Sequence, residues 1–263
     1  MSSVASLTLF RYHRWIDRHW ALWQMLLARR ALNRLPGVRF MKMVGTGSRE
    51  GFFLAPNTAV WGLLAAWPSL DHARAQVNCA AVYRRYFRRA DEAVTLYLQA
   101  TRAKGDWSGR QPFEVAPGGA GPLTIALTRA TVKPRHALSF WARTPDIRAE
   151  IPEQPHLLFK VGMAEMPGLQ QITFSIWDDV EAMRAFAYRR GGPHAEAIEA
   201  VRREGWFAEE LYARFRLLDV EGDWSAAKLK AIRAKLGTRA AFSDPSPAGG
   251  AEREARDVQA SQV

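Results

Sequence analysis

A single cysteine, Cys79, stands in 263 residues. One thiol excludes an internal disulfide framework and any all-cysteine metal cluster within the chain. It fits a reducing compartment, with Cys79 read as a small core residue. No apolar run approaches the length of a membrane span. The opening Met-Ser-Ser-Val-Ala-Ser lacks the basic start and long apolar stretch of a secretory signal, so a cytoplasmic location is expected. The histidines (His13, His19, His72, His136, His156 and His194) show no pair at metal-ligand spacing, and there is no His-Glu-x-x-His. A zinc or non-haem iron site is therefore not supported. No serine-nucleophile elbow occurs. The glycine-rich Gly45-Thr-Gly-Ser-Arg-Glu-Gly51 lacks a Gly-Lys-Ser/Thr ending and runs into a strand, so it reads as a hairpin loop and not a phosphate loop.

Acids are also scarce. The chain has 26 Asp and Glu against 37 Lys and Arg, a net charge of +11. Between Arg11 and Arg49 the only acid is Asp17. What is abundant is aromatic surface, with 10 Trp and 13 Phe in a chain that is 48% hydrophobic. Large aromatics serve cores, flat apolar ligands and membrane interfaces alike. Residues 15–34 read as a helix with Ile16, Trp20, Trp23 and Leu27 on one stripe, flanked by arginines. The plain reading is a core-facing helix with an arginine-coated solvent face. The functional reading is a helix in peripheral contact with anionic lipid. Nucleic acid is not expected as a partner, because these aromatics follow a helical stripe and form no stacking platform beside a basic groove.

The order of elements recurs along the chain. Residues 5–12, 38–44 and 58–67 read as strands, and Ser69-Leu-Asp71 opens a helical region towards Arg102. Gln111 to Pro122 is a linker by composition. Strands follow at 123–130, 157–164 and 171–177, with a short helix at 136–143 and another at 178–186. Gly105-Asp-Trp-Ser108 recurs as Gly222-Asp-Trp-Ser225, 117 positions later. Phe40-Met-Lys-Met-Val-Gly45 has Phe159-Lys-Val-Gly162 as its counterpart, and Ala66-Trp67 matches Ile176-Trp177. Three matches in one order indicate internal duplication. The predicted fold is α+β: two tandem ferredoxin-like repeats, residues 1–110 and 123–236, joined by the 111–122 linker into a pseudo-dimeric α/β barrel. The segment 237–263 is too poor in apolar residues to fold and reads as a disordered tail.

One feature is present in only one copy. Gly191 and Gly192 break the chain, and Pro193 sits where a helix favours it. From His194, Ile198, Val201 and Gly205 share a helical stripe that is apolar or small. An imidazole aimed inward needs a partner, and a hydrogen-bonded core histidine is the ordinary outcome. A lone His also suits haem, whose porphyrin supplies the remaining nitrogens. Arg189 and Arg190 lie just before the break and suit propionates, or simply a solvated helix end. Trp206 lies in the Gly-Trp-Phe break beyond and completes the candidate cofactor-binding set.

The chain resembles the spheroidene monooxygenase family, the acyclic carotenoid 2-ketolases of purple phototrophic bacteria. The resemblance rests on Leu27-Ala-Arg-Arg-Ala-Leu-Asn-Arg-Leu-Pro36-Gly37, on Lys42 with Gly45-Thr-Gly47 and Glu50-Gly-Phe52, and on Pro56-Asn57-Thr58. It continues through Tyr188-Arg-Arg-Gly-Gly-Pro-His194 and Gly205-Trp-Phe-Ala-Glu-Glu-Leu-Tyr-Ala-Arg-Phe215. It implies haem b, dioxygen and reduced ferredoxin, and a keto group formed at C2 of a carotenoid substrate by two hydroxylations. It also implies His194 as the iron ligand and a place beside the inner, photosynthetic membrane. Two other readings stay open: a haem-degrading or haem-handling barrel, and a non-catalytic barrel that binds an apolar ligand.

Overall fold

The computed structural model describes residues 3–47, 56–119, 121–141, 155–188, 204–224 and 227–240. The first half of the chain contributes β1 (Val4–Arg11), α1 (Trp15–Leu27), α2 (Arg29–Asn33), β2 (Phe40–Gly47) and β3 (Pro56–Trp67). It continues with α3 (Leu70–Cys79), α4 (Ala81–Phe87) and β4 (Glu92–Gly105). The second half contributes β5 (Thr124–Val132), a 3₁₀ turn (Pro134–His136) that runs into helical residues 137–141, β6 (Leu157–Ala164) and β7 (Gln170–Trp177). Then come α5 (Val180–Tyr188), β8 (Phe207–Asp223) and α6 (Ala227–Ala240).

The strands close one antiparallel barrel in the order β1-β3-β2-β6-β7-β5-β8-β4. Each half runs fourth, first, third, second, so the two halves share one strand order. Alternation decides which side chains enter the barrel. Leu7 and Leu9 of β1, Ile125 and Leu127 of β5, and Phe174 of β7 point inward and are wholly buried. They belong to one cluster drawn from both halves. The next residues on these strands face outward, and in the first half they lie under α1, α3 and α4.

The sequence duplications occupy matching places. Trp67 pairs with Val4 at the start of β1, and Trp177 with Thr124 at the start of β5. Gly105 and Gly222 both hold positive φ, +91° and +88°, and a Cβ on either would overlap a carbonyl of the other half, that of Glu210 or Ala93 respectively. Only glycine tolerates both constraints. β4 and β8 run antiparallel, so Trp107 and Trp224, just past their ends, plug opposite mouths of the barrel.

Several expectations need correction. The helical region towards Arg102 ends at Phe87, and Glu92–Gly105 is a strand. Val94, Leu96, Leu98 and Ala100 alternate into the core, a period of two that the Ala- and Leu-rich composition masks. The 111–122 linker packs onto the barrel. Phe113 is buried against Phe40 and Phe215, and the Ala116 amide donates to the Ala100 carbonyl at 2.9 Å. α6 runs to Ala240, past the expected start of the tail at Gly237; the rest of the tail lies outside the described residues. Cys79 is exposed, because α3 turns Ala73 and Val77 inward, four apart, and Cys79 falls off that stripe. The stripe on α1 is inverted: Ile16, Trp23 and Leu27 are exposed, and of the four only Trp20 packs against the core.

Candidate functional site

The barrel lumen is a packed core, and its charged mouth is a plug. Lys42 enters from β2 and donates to Glu165 at 2.6 Å and to the Ser108 hydroxyl at 2.7 Å. The Trp107 indole N–H donates to the other Glu165 oxygen at 2.6 Å. Arg129, its side chain 1% exposed, pairs with Glu209, which also accepts the Gly109 amide. Burial opposes ionisation of Glu209, but the amides of Gly109 and Ser108 and the Arg129 guanidinium outweigh it and hold its carboxyl below the ordinary range. Each carboxylate here is matched by donors and cations, so the lattice closes the mouth and offers no reactive group. No group of three or more His, Cys, Asp or Glu among the described residues could hold a metal ion.

The outer faces of the two half-sheets differ at matching register. In the first half, one row across the strands reads Met43, Leu63, Thr8, Thr95, and the next reads Gly45, Trp61, Phe10, Ala93. The corresponding rows of the second half read Gly162, Thr173, Thr128, Tyr212, then Gln171, Ala130, Glu210. Leu63, Trp61 and Phe10 thus give way to Thr173, Gln171 and Ala130. A third row replaces Met41 and Tyr97 by Lys160 and Arg214.

In the first half this bulk is sealed beneath α1, α3 and α4 in a cluster with Tyr83, Tyr86 and Trp67. In the second half, among the described residues, α5 covers one corner, where Met183 joins Leu157 and Trp177, and Phe140 of the 137–141 helical turn packs on Phe207. Thr128 and Tyr212 remain exposed, and Ala130, Gln171 and Thr173 are half-buried. The second half therefore presents a floor of small and polar side chains where the first has a wall of aromatic ones. Such a floor can accept a flat, apolar molecule that the first half would exclude.

His194, Arg189 and Arg190 lie outside the described residues. Trp206 is 1% exposed at the head of β8. Its indole N–H donates to Glu204 at 2.8 Å, and its carbonyl accepts the Lys133 amide at 2.8 Å. Its ring lies parallel to the His136 imidazole, 5.9 Å between centroids. Lys133 also donates from its side chain to the Gly205 carbonyl. Trp206 thus ties the start of β8 to the end of β5, directly after the segment that carries His194. The structure brings Trp206 together with His136, which sequence reasoning counted but did not single out. The small outer-face residues were also missed. Their signal was the weak alternation of Ala126, Thr128 and Ala130, visible only once the register aligns the halves.

No family model matches the chain. The spheroidene monooxygenase of Rhodobacter capsulatus is 46% identical over 224 residues, spanning 84% of this chain and 92% of that protein. That of Cereibacter sphaeroides is 46% identical over 222 residues, covering 68% of its length, and that of Rubrivivax gelatinosus 34% over 193. The chain belongs to the spheroidene monooxygenase family. This membership covers both halves of the barrel, including the stripped outer face. Among solved structures, an aldoxime dehydratase superposes with a TM-score of 0.56 at 10% identity, covering 83% of this chain and 82% of its own. At that identity the likeness is one of fold.

Proposed function

We propose that this family member introduces a keto group at C2 of acyclic carotenoids such as spheroidene. Each of two successive hydroxylations at one carbon consumes one dioxygen, two electrons and two protons. Each converts a C–H bond to C–OH and releases one water. The resulting gem-diol loses water to give the ketone. Reduced ferredoxin is the electron donor in this reading. The observation that carries it is the outer face of the second half, where Thr173, Gln171 and Ala130 stand in the register positions that Leu63, Trp61 and Phe10 fill in the first.

The described residues fit a flat macrocycle on that face. Thr173, Gln171 and Ala130 are each smaller than the first-half residue at the same register, which leaves that part of the floor low. Haem b bound there would supply the oxidising power that an allylic C–H requires. His194 is the proposed ligand, with Arg189 and Arg190 beside it. Trp206, tied to β5, fixes where that segment re-enters the sheet. The shared strand order of the halves and the recurring Gly-Asp-Trp supports reading the chain as tandem ferredoxin-like repeats. In that reading the second copy, 123–236, keeps the working site.

The test is the visible spectrum of the purified protein together with its products from spheroidene. Wild type is expected to show a Soret band and to form the ketone, and His194→Ala to lose both. An unchanged Soret band in His194→Ala removes that residue from the role. Porphyrin loss without polyene oxidation indicates haem degradation, and no Soret band after haem addition indicates a non-catalytic binder.

A further inference from the structure

Helix α1 is built inside out. It meets the barrel through Asp17, Ala21 and, just past its end, Ala28, which are 6%, 2% and 4% exposed. These positions, four and seven apart, mark the inward stripe. The outward arc carries Trp15, Ile16, Leu22, Trp23, Leu26 and Leu27, each between 49% and 73% exposed. At 100° per residue they fall within about 140° of the helix circumference, and His19 is the only polar residue among them. Their exposed surface is on the order of several hundred Å², the size at which an apolar patch marks an interaction site.

The exposed charge on α1, α2 and their caps has one sign. Arg14 at the cap of α1, Arg29 and Arg30 on α2, and Arg34 at its C-cap flank the arc and are exposed. The lone acid of this segment, Asp17, is turned inward and held by Arg89 at 2.8 Å. That contact brings the end of α4 beside the start of α1, and α4 adds the exposed Arg85 and Arg88. No helix among the described residues is long and apolar enough to cross a membrane. The patch is a convex ridge, not a groove, so it suits a deformable partner more than a second folded surface. Two copies packed ridge to ridge would bring these arginines together with no exposed acid from α1 or α2 between them.

We infer that α1 docks the protein on an anionic lipid bilayer. Its Trp and Leu ridge enters the interface, and the surrounding arginines sit at the headgroup phosphates. Tryptophan suits this layer because its ring is apolar and its N–H can stay wet. Apolar insertion and electrostatic attraction together give reversible attachment of a helix that lies in the interface. The inference rests on α1 and its arginines and is independent of which substrate the barrel oxidises.

The test is flotation of the full-length protein with vesicles of phosphatidylglycerol and phosphatidylcholine in equal parts, beside vesicles of phosphatidylcholine alone. Wild type is expected to float with the anionic vesicles and much less with the neutral ones. Trp23→Ser with Leu26→Ser is expected to lower the bound fraction roughly tenfold. Its circular-dichroism melt should match wild type, since both side chains are exposed. Arg29→Glu with Arg30→Glu is expected to lower anionic-vesicle binding, and added salt should do the same in wild type. If a variant fails to fold, brominated lipid gives a second measure on wild type, whose tryptophan emission should be quenched on anionic vesicles. Wild-type protein that ignores anionic vesicles, or Trp23 and Leu26 variants that bind as wild type does, would overturn the inference. So would light scattering that shows a dimer which these variants convert to monomer without change in vesicle binding.

Discussion

The two half-sheets share a strand order and a common interior, yet their outer faces have opposite character. The first half is insulated: Phe10, Trp61, Leu63 and Trp67 pack under three helices with Tyr83 and Tyr86. The second half carries Ala130, Gln171 and Thr173 at the matching register, with α5 over one corner. The two halves of one barrel can thus divide its duties. One outer face contributes apolar burial to stability, and the other gives up that burial and gains room for a ligand.

The largest effect should come from making the second face like the first. Ala130→Phe combined with Gln171→Trp imports the bulk of Phe10 and Trp61. Carotenoid turnover should fall by roughly a hundredfold or more if this floor holds ligand. The thermal midpoint should move little, because both positions are half-buried. Retained turnover with a stable fold would place the site elsewhere.

The converse change, Phe10→Ala, removes a wholly buried ring that packs on Tyr86 and Phe87 at 5.2 Å. It should cost about 3–5 kcal/mol of stability, measured by urea unfolding. Whatever protein stays folded should turn over substrate at the wild-type rate, since Phe10 is in the insulated half.

The smallest effect concerns Tyr86, whose buried hydroxyl has no hydrogen-bond partner. Tyr86→Phe should change stability at neutral pH by no more than about 1 kcal/mol, in the stabilising direction. Burial, reinforced by repulsion from Tyr83, raises the Tyr86 phenol above its usual 10.0. A raised folded pKa gives stability that is full below the unfolded value and is lost as pH rises towards the folded one. Wild type should therefore lose stability above pH 10.0, and Tyr86→Phe should lose less. Melting curves across alkaline pH check the difference in slope.

Much of the barrel was legible in the residues. Gly105-Asp-Trp and Gly222-Asp-Trp marked equivalent places in the two halves, and both glycines hold a positive φ against the opposite half. β4 was hidden because Ala, Leu, Tyr and Gln serve helix and strand alike, and burial on alternate positions settles the matter only in the folded chain. The stripe on α1 was visible, but periodicity says that a helix has two faces and not which one meets the core. Of the candidate site, Trp206 could be placed, and its anchoring role depends on Lys133, far away in sequence. The stripped face escaped notice because it is a property of four strands in register, and no single stretch of chain contains it.

Gly105 and Gly222 also couple the two rims of the barrel. Each sits where a side chain would strike the other half's backbone, and each is followed closely by the tryptophan that stoppers its own end. A displacement of β8 near Glu210 would shift the seat of Gly105 and with it the Trp107 stopper, and a displacement of β4 near Ala93 would do the same for Trp224. Neither half can drift freely without disturbing the closure made by the other, so the chain behaves as one hoop even where its two outer walls differ.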